Sequence, residues 1–165
     1  MREISAQTKA LIALQCVEEM SLKKKRDMID AMPNPETWLS STNKDKVVKI
    51  LGEEKAVQFF ENCNNIGSIV SGFERDGIEY VTYFDENYPE QLREIYDFPL
   101  VLFAKGNIAL LSTDCISVVG TRSPTRYGMK VCGDFTREFV RADFTIVSGF
   151  ARGIDSTAHR ACIDA

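Results

Sequence analysis

The chain is poor in the residues that metal and acid–base chemistry draw on. Its 165 residues hold a single histidine and a single tryptophan. The five cysteines, Cys16, Cys63, Cys115, Cys132 and Cys162, are scattered, and none forms a CxxC pair. Beside one histidine they make no zinc-ligand set, so no metal is expected. An odd, dispersed set of thiols fits buried side chains in a reducing compartment rather than a disulfide framework, and a cytoplasmic location is expected. Long hydrophobic runs are missing too. The longest early one, Ala10 to Val17, is interrupted by Gln15 and followed by Glu18 and Glu19. It lacks the basic flank and small-residue cleavage site of a signal peptide. Nothing approaches the roughly 20 apolar residues of a membrane span, so no membrane partner is expected.

Positive charge is not in excess either. The net charge is −4, which does not describe a wholesale nucleic-acid binder. The distribution is uneven, however. Residues 1–116 carry 13 basic and 19 acidic side chains, whereas residues 117–165 carry 7 and 5. Six of those seven late bases are arginines, whose planar forks of donors suit phosphate. Any polyanion site is therefore expected late in the chain. Hydrophobic residues make up 44%, enough for a globular core.

The first 76 residues read as a small bundle of short helices. Ile4, Leu11, Ile12, Val17 and Met20 recur near the helical period. A second helix around Met28 and Ile29 follows the basic stretch Lys23 to Arg26, read as a solvated face in preference to a phosphate contact, and stops at Pro33. Asn43 is expected to cap a helix ending at Gly52. Another helix over about Glu53 to Asn62 is expected to bury Ala56, Val57, Phe59 and Phe60, and one more spans about Ile66 to Arg75. At Gly77 the pattern changes. Strands are expected near Ile78 to Phe84 and Leu100 to Phe103. Two strand–helix units follow, with a buried-type strand at Ile116 to Val119 and the next strand at Phe144 to Val147. That order indicates a parallel α/β sheet. The expected fold class is thus α/β, an all-α domain over 1–76 and an incomplete Rossmann-like domain over 77–165.

Ligands of open parallel sheets bind at the carboxyl ends of the strands, and two loops fall there. The first runs from Gly120 to Gly128. Gly120 permits a sharp turn, and the loop enters a helix N-terminus, whose free N–H groups and positive dipole end favour an anion. Thr121, Ser123 and Thr125 add hydroxyls, and Arg122 and Arg126 add charge. The plainer alternative is that Ser123 or Thr125 caps the helix while the arginines are solvated. The second loop is Ser148-Gly149-Phe150-Ala151-Arg152-Gly153, leading to Ile154 and Asp155. Gly149 and Gly153 suggest close backbone approach to a ligand, with Arg152 between them. Asp155 and His159, one helical turn apart, form either a loop-orienting carboxylate with a bystander or an acid–base pair. The loops contain neither GxGxxG nor GxxxxGK[ST], which argues against NAD and against ATP hydrolysis; no cofactor is expected. A nucleic-acid backbone or a small sugar phosphate remains. The first implies a single-stranded DNA-binding module without catalysis, the second a Rossmann-like hydrolase using Asp155 and His159. A third option is that the arginines contact an acidic protein partner.

Tyr88-Pro89 with Leu92, Phe98-Pro99, Leu102 to Asn107, VVGTR (Val118 to Arg122), Tyr127-Gly128 and SGFARGIDSTAH (Ser148 to His159) occur in an order that resembles the DNA-processing protein A family (DprA/Smf). The resemblance covers roughly residues 78–165, and the preceding helices are similar in size and placement to the SAM-like N-terminal domain of many members. It implies an extended Rossmann-like fold without nucleotide chemistry, binding of single-stranded DNA, and loading of the RecA recombinase during natural transformation, with a homodimer as the usual form. Carried over, Arg122 is the GTR arginine and Ser148 to Asp155 the signature loop, together the floor of a positive pocket for phosphates. Phe150 stands at that loop's variable position, either stacking on a base or packing the loop. Family members continue beyond this helix. The chain stops within it, so it is expected to lack part of the dimer and RecA surfaces and to leave a sheet edge exposed.

Overall fold

A computed structural model describes residues 4–165. The chain divides into two compact units, one running to Leu111 and the other from Ser112 to Ala165.

In the first unit, α1 (Ala6–Gln15), α2 (Leu22–Ala31), α3 (Lys44–Leu51), α4 (Glu53–Asn64) and α5 (Ile66–Arg75) precede β1 (Glu79–Thr82), the short α6 (Glu90–Arg93) and β2 (Val101–Ala104). Ala10 to Leu14 of α1 are all wholly buried, as expected of a helical stretch apolar on every side. The helix ends earlier than its periodicity predicts. Val17 and Met20 lie beyond it, and Ser21 caps α2 by accepting from the Lys24 N–H. Around α1 pack Met28, Trp38, Val47, Leu51 and Phe59. The Trp38 indole donates to the Met32 carbonyl at 2.8 Å, and its ring meets Phe59 edge-on. On α4 the inward positions are Ala56, Phe59 and Cys63; Val57, one residue off that stripe, is 56% exposed, contrary to expectation. Asn43 precedes α3 without capping it, because residues Ser41–Asn43 already form a 3-10 turn and its amide donates back to the Thr37 carbonyl.

The basic stretch also differs from a solvated face. Lys25 is buried, and its ammonium donates at 3.1 Å to the carbonyl of Gln15, an end-of-helix acceptor with no intrahelical partner. The Arg26 guanidinium lies 4.7 Å and 4.8 Å from the ring centres of Tyr96 and Phe98. β1 and β2 pair antiparallel, Glu79 opposite Ala104 and Thr82 opposite Val101. Phe98, Leu100 and Val101 join the helices' core. The change of secondary structure at Gly77 is therefore not the packing boundary, which lies after Leu111.

The second unit is a β–α–β–α run: β3 (Cys115–Ser117), α7 (Arg126–Arg141), β4 (Thr145–Val147) and α8 (Ile154–Ile163). β3 and β4 pair in parallel, Cys115 opposite Thr145 and Ser117 opposite Val147. With the helical first unit this gives the expected α/β class with a parallel, Rossmann-like sheet. The Ile116–Val119 run is not buried as predicted, though: Val119 is 71% exposed. Val147 of β4 is 47% exposed. Among the described residues this sheet has two strands, so each keeps an unpaired edge. No described helix is long and apolar enough to cross a membrane.

Candidate functional site

Parallel pairing puts the carboxyl ends of β3 and β4 side by side, so the loops after them emerge together. The ladder continues one step, with the Val118 N–H donating to the Val147 carbonyl at 2.9 Å. The Ser148 hydroxyl then donates to the Val118 carbonyl at 2.7 Å. Ser148 thus ties one predicted loop to the other.

Past that tie the two backbones touch. Gly153 has φ 91° and ψ −125°, and a Cβ there would lie 2.2 Å from the Thr121 carbonyl oxygen and 2.8 Å from the Arg122 Cα. The neighbouring Ile154 N–H donates to that same Thr121 carbonyl at 3.1 Å. Gly120 is tight against the same helix start, since a Cβ would stand 2.7 Å from Ile154 Cγ1. Only glycine at both places lets the loops close on each other. Gly149 follows the same logic, with a Cβ 2.9 Å from Asp155 Oδ2. Gly149 and Gly153 are expected to allow close approach to a ligand and Gly120 to permit a turn; the space beside all three is filled by the protein itself.

The hydroxyls are partly committed. Thr125 Oγ1 accepts from the Gly128 N–H at 3.1 Å and caps α7, as the plainer alternative holds. Thr121 Oγ1 accepts from the Ser123 N–H at 3.2 Å. The N–H groups of Arg126 and Tyr127 at the start of α7 have no acceptor among the described residues, the ordinary state of a helix N-terminus. Arg122, Arg126 and Arg152 are exposed, and among the described residues none pairs with a carboxylate. The ion pairs of this unit lie along α7 instead, at Lys130–Asp134, Arg137–Asp134 and Arg141–Glu138. There the two cations hold the Asp134 carboxyl below its ordinary value by hydrogen bonding.

Asp155 is buried, and its Oδ2 accepts from the Ala151 N–H across the loop at 3.4 Å. It is not hydrogen-bonded to His159, whose Nε2 is buried without a partner. The carboxylate faces the loop backbone rather than the imidazole. Phe150, at φ 57° and 87% exposed, sets its ring 5.3 Å from that of His159 at a steep angle. Phe150 therefore does not pack a core. Sequence reasoning missed that Ser156, His159, Arg160 and Ile163 line a cavity with Phe150 and Arg152; their i, i+3, i+4, i+7 spacing on α8 was the available signal. Among the described residues no group of three His, Cys, Asp or Glu could hold a metal ion.

The family model for DNA recombination-mediator protein A matches residues 79–165. The chain is 37% identical over 128 residues to the DNA processing protein DprA of Bacillus subtilis, covering 77% of this chain and 42% of that one. It is 42% identical over 79 residues to DprA of Streptococcus pneumoniae (48% and 28% of the two chains), and 38% over 78 residues to protein Smf of Escherichia coli (47% and 21%). It spans less than half the length of these curated relatives. The crystal structure of DprA from Streptococcus pneumoniae superposes with a TM-score of 0.70 at 27% identity, covering 98% of this chain and 55% of that one. A parallel β–α–β–α unit carrying VGTR and SGFARGID loops in contact is thus found within a chain that belongs to the DNA recombination-mediator protein A family, the DprA/Smf proteins.

Proposed function

We propose that this chain binds single-stranded DNA without catalysing a reaction on it. In this reading it is part of a cytoplasmic DNA-processing protein that protects incoming DNA in natural transformation and loads RecA, with a homodimer as the working form. By sequence, residues 1–76 are its SAM-like helical part and 77–165 the first part of the Rossmann-like domain, of which Phe98, Leu100 and Val101 pack into the helices' core. The observation that carries the proposal is the backbone contact at Gly153. It joins two loops into one floor whose outward groups are Arg122, Arg126 and Arg152, all free of carboxylates among the described residues. Guanidinium forks on a fixed backbone match a row of phosphates. Gly120, Thr121, Ser123, Thr125, Ser148 and Gly149 shape that floor, and Arg126 adds the open N-terminus of α7. The names of the relatives, DNA processing proteins, agree with this reading.

The test is salt dependence. Affinity for single-stranded DNA should fall with a log–log slope of about −0.7 per neutralised phosphate. Arg122→Ala and Arg152→Ala should each weaken binding across unrelated sequences and make the slope shallower by roughly one contact. The exposed Arg75 of the first unit serves as the control, and EDTA should change nothing. Parent-like binding by both variants would end the proposal, as would a mononucleotide competing as well as a polymer.

A further inference from the structure

The parallel ladder between β3 and β4 stops one rung short of what its register allows. It begins with the Thr145 N–H on the Asp114 carbonyl at 2.8 Å, and its last rung is the Val118 N–H on the Val147 carbonyl at 2.9 Å. Ser117 stands opposite Val147, so the next rung in that alternation is the Gly149 N–H on the Val118 carbonyl. That bond is absent among the described residues. The Ser148 hydroxyl takes the carbonyl instead, at 2.7 Å. The chain then leaves the strand direction at Phe150, whose φ is 57°. Asp155 accepts from the Ala151 N–H, but the N–H groups of Gly149 and Phe150 have no acceptor among the described residues. Both residues are exposed.

We propose that Ser148 is a positioning residue for DNA binding. By occupying the Val118 carbonyl, its hydroxyl keeps the Gly149 N–H out of the ladder and free to donate to a phosphate of the strand. Ser148 itself does not touch the strand; it acts through the backbone of the residue after it. Consecutive free N–H groups at a turn make a concavity for an anion. A bond to a charged oxygen is also stronger than one to a neutral carbonyl. Without the hydroxyl, the Gly149 N–H and the Val118 carbonyl pair with each other, which closes the ladder by one rung and withdraws the amide. Deleting this side-chain group thus adds a backbone bond. The inference rests on the DNA reading above.

Amide exchange followed by NMR on the full chain tests it, together with fluorescence anisotropy on a mixed-sequence single-stranded oligonucleotide. In the free parent the Gly149 N–H should exchange without protection. In Ser148→Ala its exchange should slow by on the order of three- to tenfold, the net worth of one backbone hydrogen bond. Affinity of that variant should fall by on the order of tenfold, the lower range for a bond to a charged group. Its log–log salt slope should stay at the parent value, because no cation is lost; the arginine variants differ in this. The Ile154 N–H, which donates to Thr121, should keep its protection. Ser148→Thr retains the hydroxyl and should restore both unprotected exchange at Gly149 and parent affinity. A protected Gly149 N–H in the parent overturns the inference alone, as does parent-like affinity of Ser148→Ala. Loss of Ile154 protection alongside affinity makes Ser148 a structural tie and overturns it too. Failure of the parent to bind the strand overturns the DNA reading and this inference with it.

Discussion

Replacing Gly153 by alanine tests the loop contact on which the site depends. The new methyl would sit 2.2 Å from the Thr121 carbonyl oxygen and 2.8 Å from the Arg122 Cα, and both neighbours are backbone atoms that cannot rotate away. It would also be held at φ 91°, ψ −125°, a region that costs a non-glycine residue about 1–3 kcal/mol. Overpacking adds typically 1–3 kcal/mol, so the second unit should lose about 2–6 kcal/mol. Two further substitutions separate the terms. Gly106→Ala meets a positive φ of 110° with nothing within 4 Å and carries strain alone. Gly120→Ala, without a positive φ, carries the contact alone, 2.7 Å from a side chain that can partly yield. The assay is hydrogen exchange at the Ile154 N–H, which donates to Thr121. At the lower bound its exchange should quicken on the order of thirtyfold. DNA affinity should fall with it, while Trp38 fluorescence in the first unit stays unchanged. Parent-like exchange at Ile154 would refute the reasoning.

Other expectations concern single groups. Thr125→Ala removes the cap on Gly128 and should cost about 0.5–2 kcal/mol, seen as faster exchange in the first turn of α7. Burial pushes the Cys63 thiol from 9.0 up to about 12, partly opposed by the charge of Lys9. The unfolded chain loses that proton first, so stability should fall as pH rises from about 9 towards about 12. The slope is at most about 1.4 kcal/mol per pH unit. Denaturation followed by Trp38 fluorescence should show less of this decline in Cys63→Ala. Lys25 works in the opposite sense. Burial lowers its pKa from 10.5, with Cys16 partly opposing, so the ammonium is penalised in the folded state. Stability should rise with pH in the window just below 10.5, and Lys25→Met, measured against the parent, should remove that rise.

Periodicity carried the helical first unit well where one face is apolar, and poorly where a helix is apolar all round. α1 is the example. Its run Ala10 to Leu14 has no polar side, so spacing alone extended the helix to Met20, past the break that Ser21's cap enforces. Lys25 and Arg26 were illegible for another reason. A charged residue's burial depends on what crosses it in space, here the end of α1 and two rings near Phe98. In the second unit the order of strands, loops and helices was readable. So was the loop placement, because parallel strands joined by a helix leave few alternatives. What the glycines of the two loops do was not readable. Gly149 and Gly153 looked like openings for a ligand and Gly120 like a turn, whereas their missing Cβ atoms make room for Asp155, the Thr121 carbonyl and Ile154. A glycine's sequence position tells that something comes close, not what.

Among the described residues, three non-glycine positions have left-handed backbones, and they separate structure from function. Asp143 follows the end of α7, and Asp tolerates that conformation. Glu19 turns the chain between α1 and α2 with its side chain in water. Phe150 has neither excuse: an aromatic side chain gains nothing from a left-handed backbone unless its ring is then buried, and this ring is 87% exposed. Something else must hold it there, and the loop's own ties do so. Ser148 is bound to Val118, the Ala151 N–H to Asp155, and Gly153 lies against Thr121. Those ties flank position 150 on both sides and involve none of its own atoms. Relieving the strain by a Phe150→Gly substitution should therefore leave the loop's protection from exchange intact or improved. Oligothymidylate affinity should fall at the same time. Loss of protection together with affinity would mean that the ring supports the loop; affinity lost from an intact loop assigns the ring to the strand.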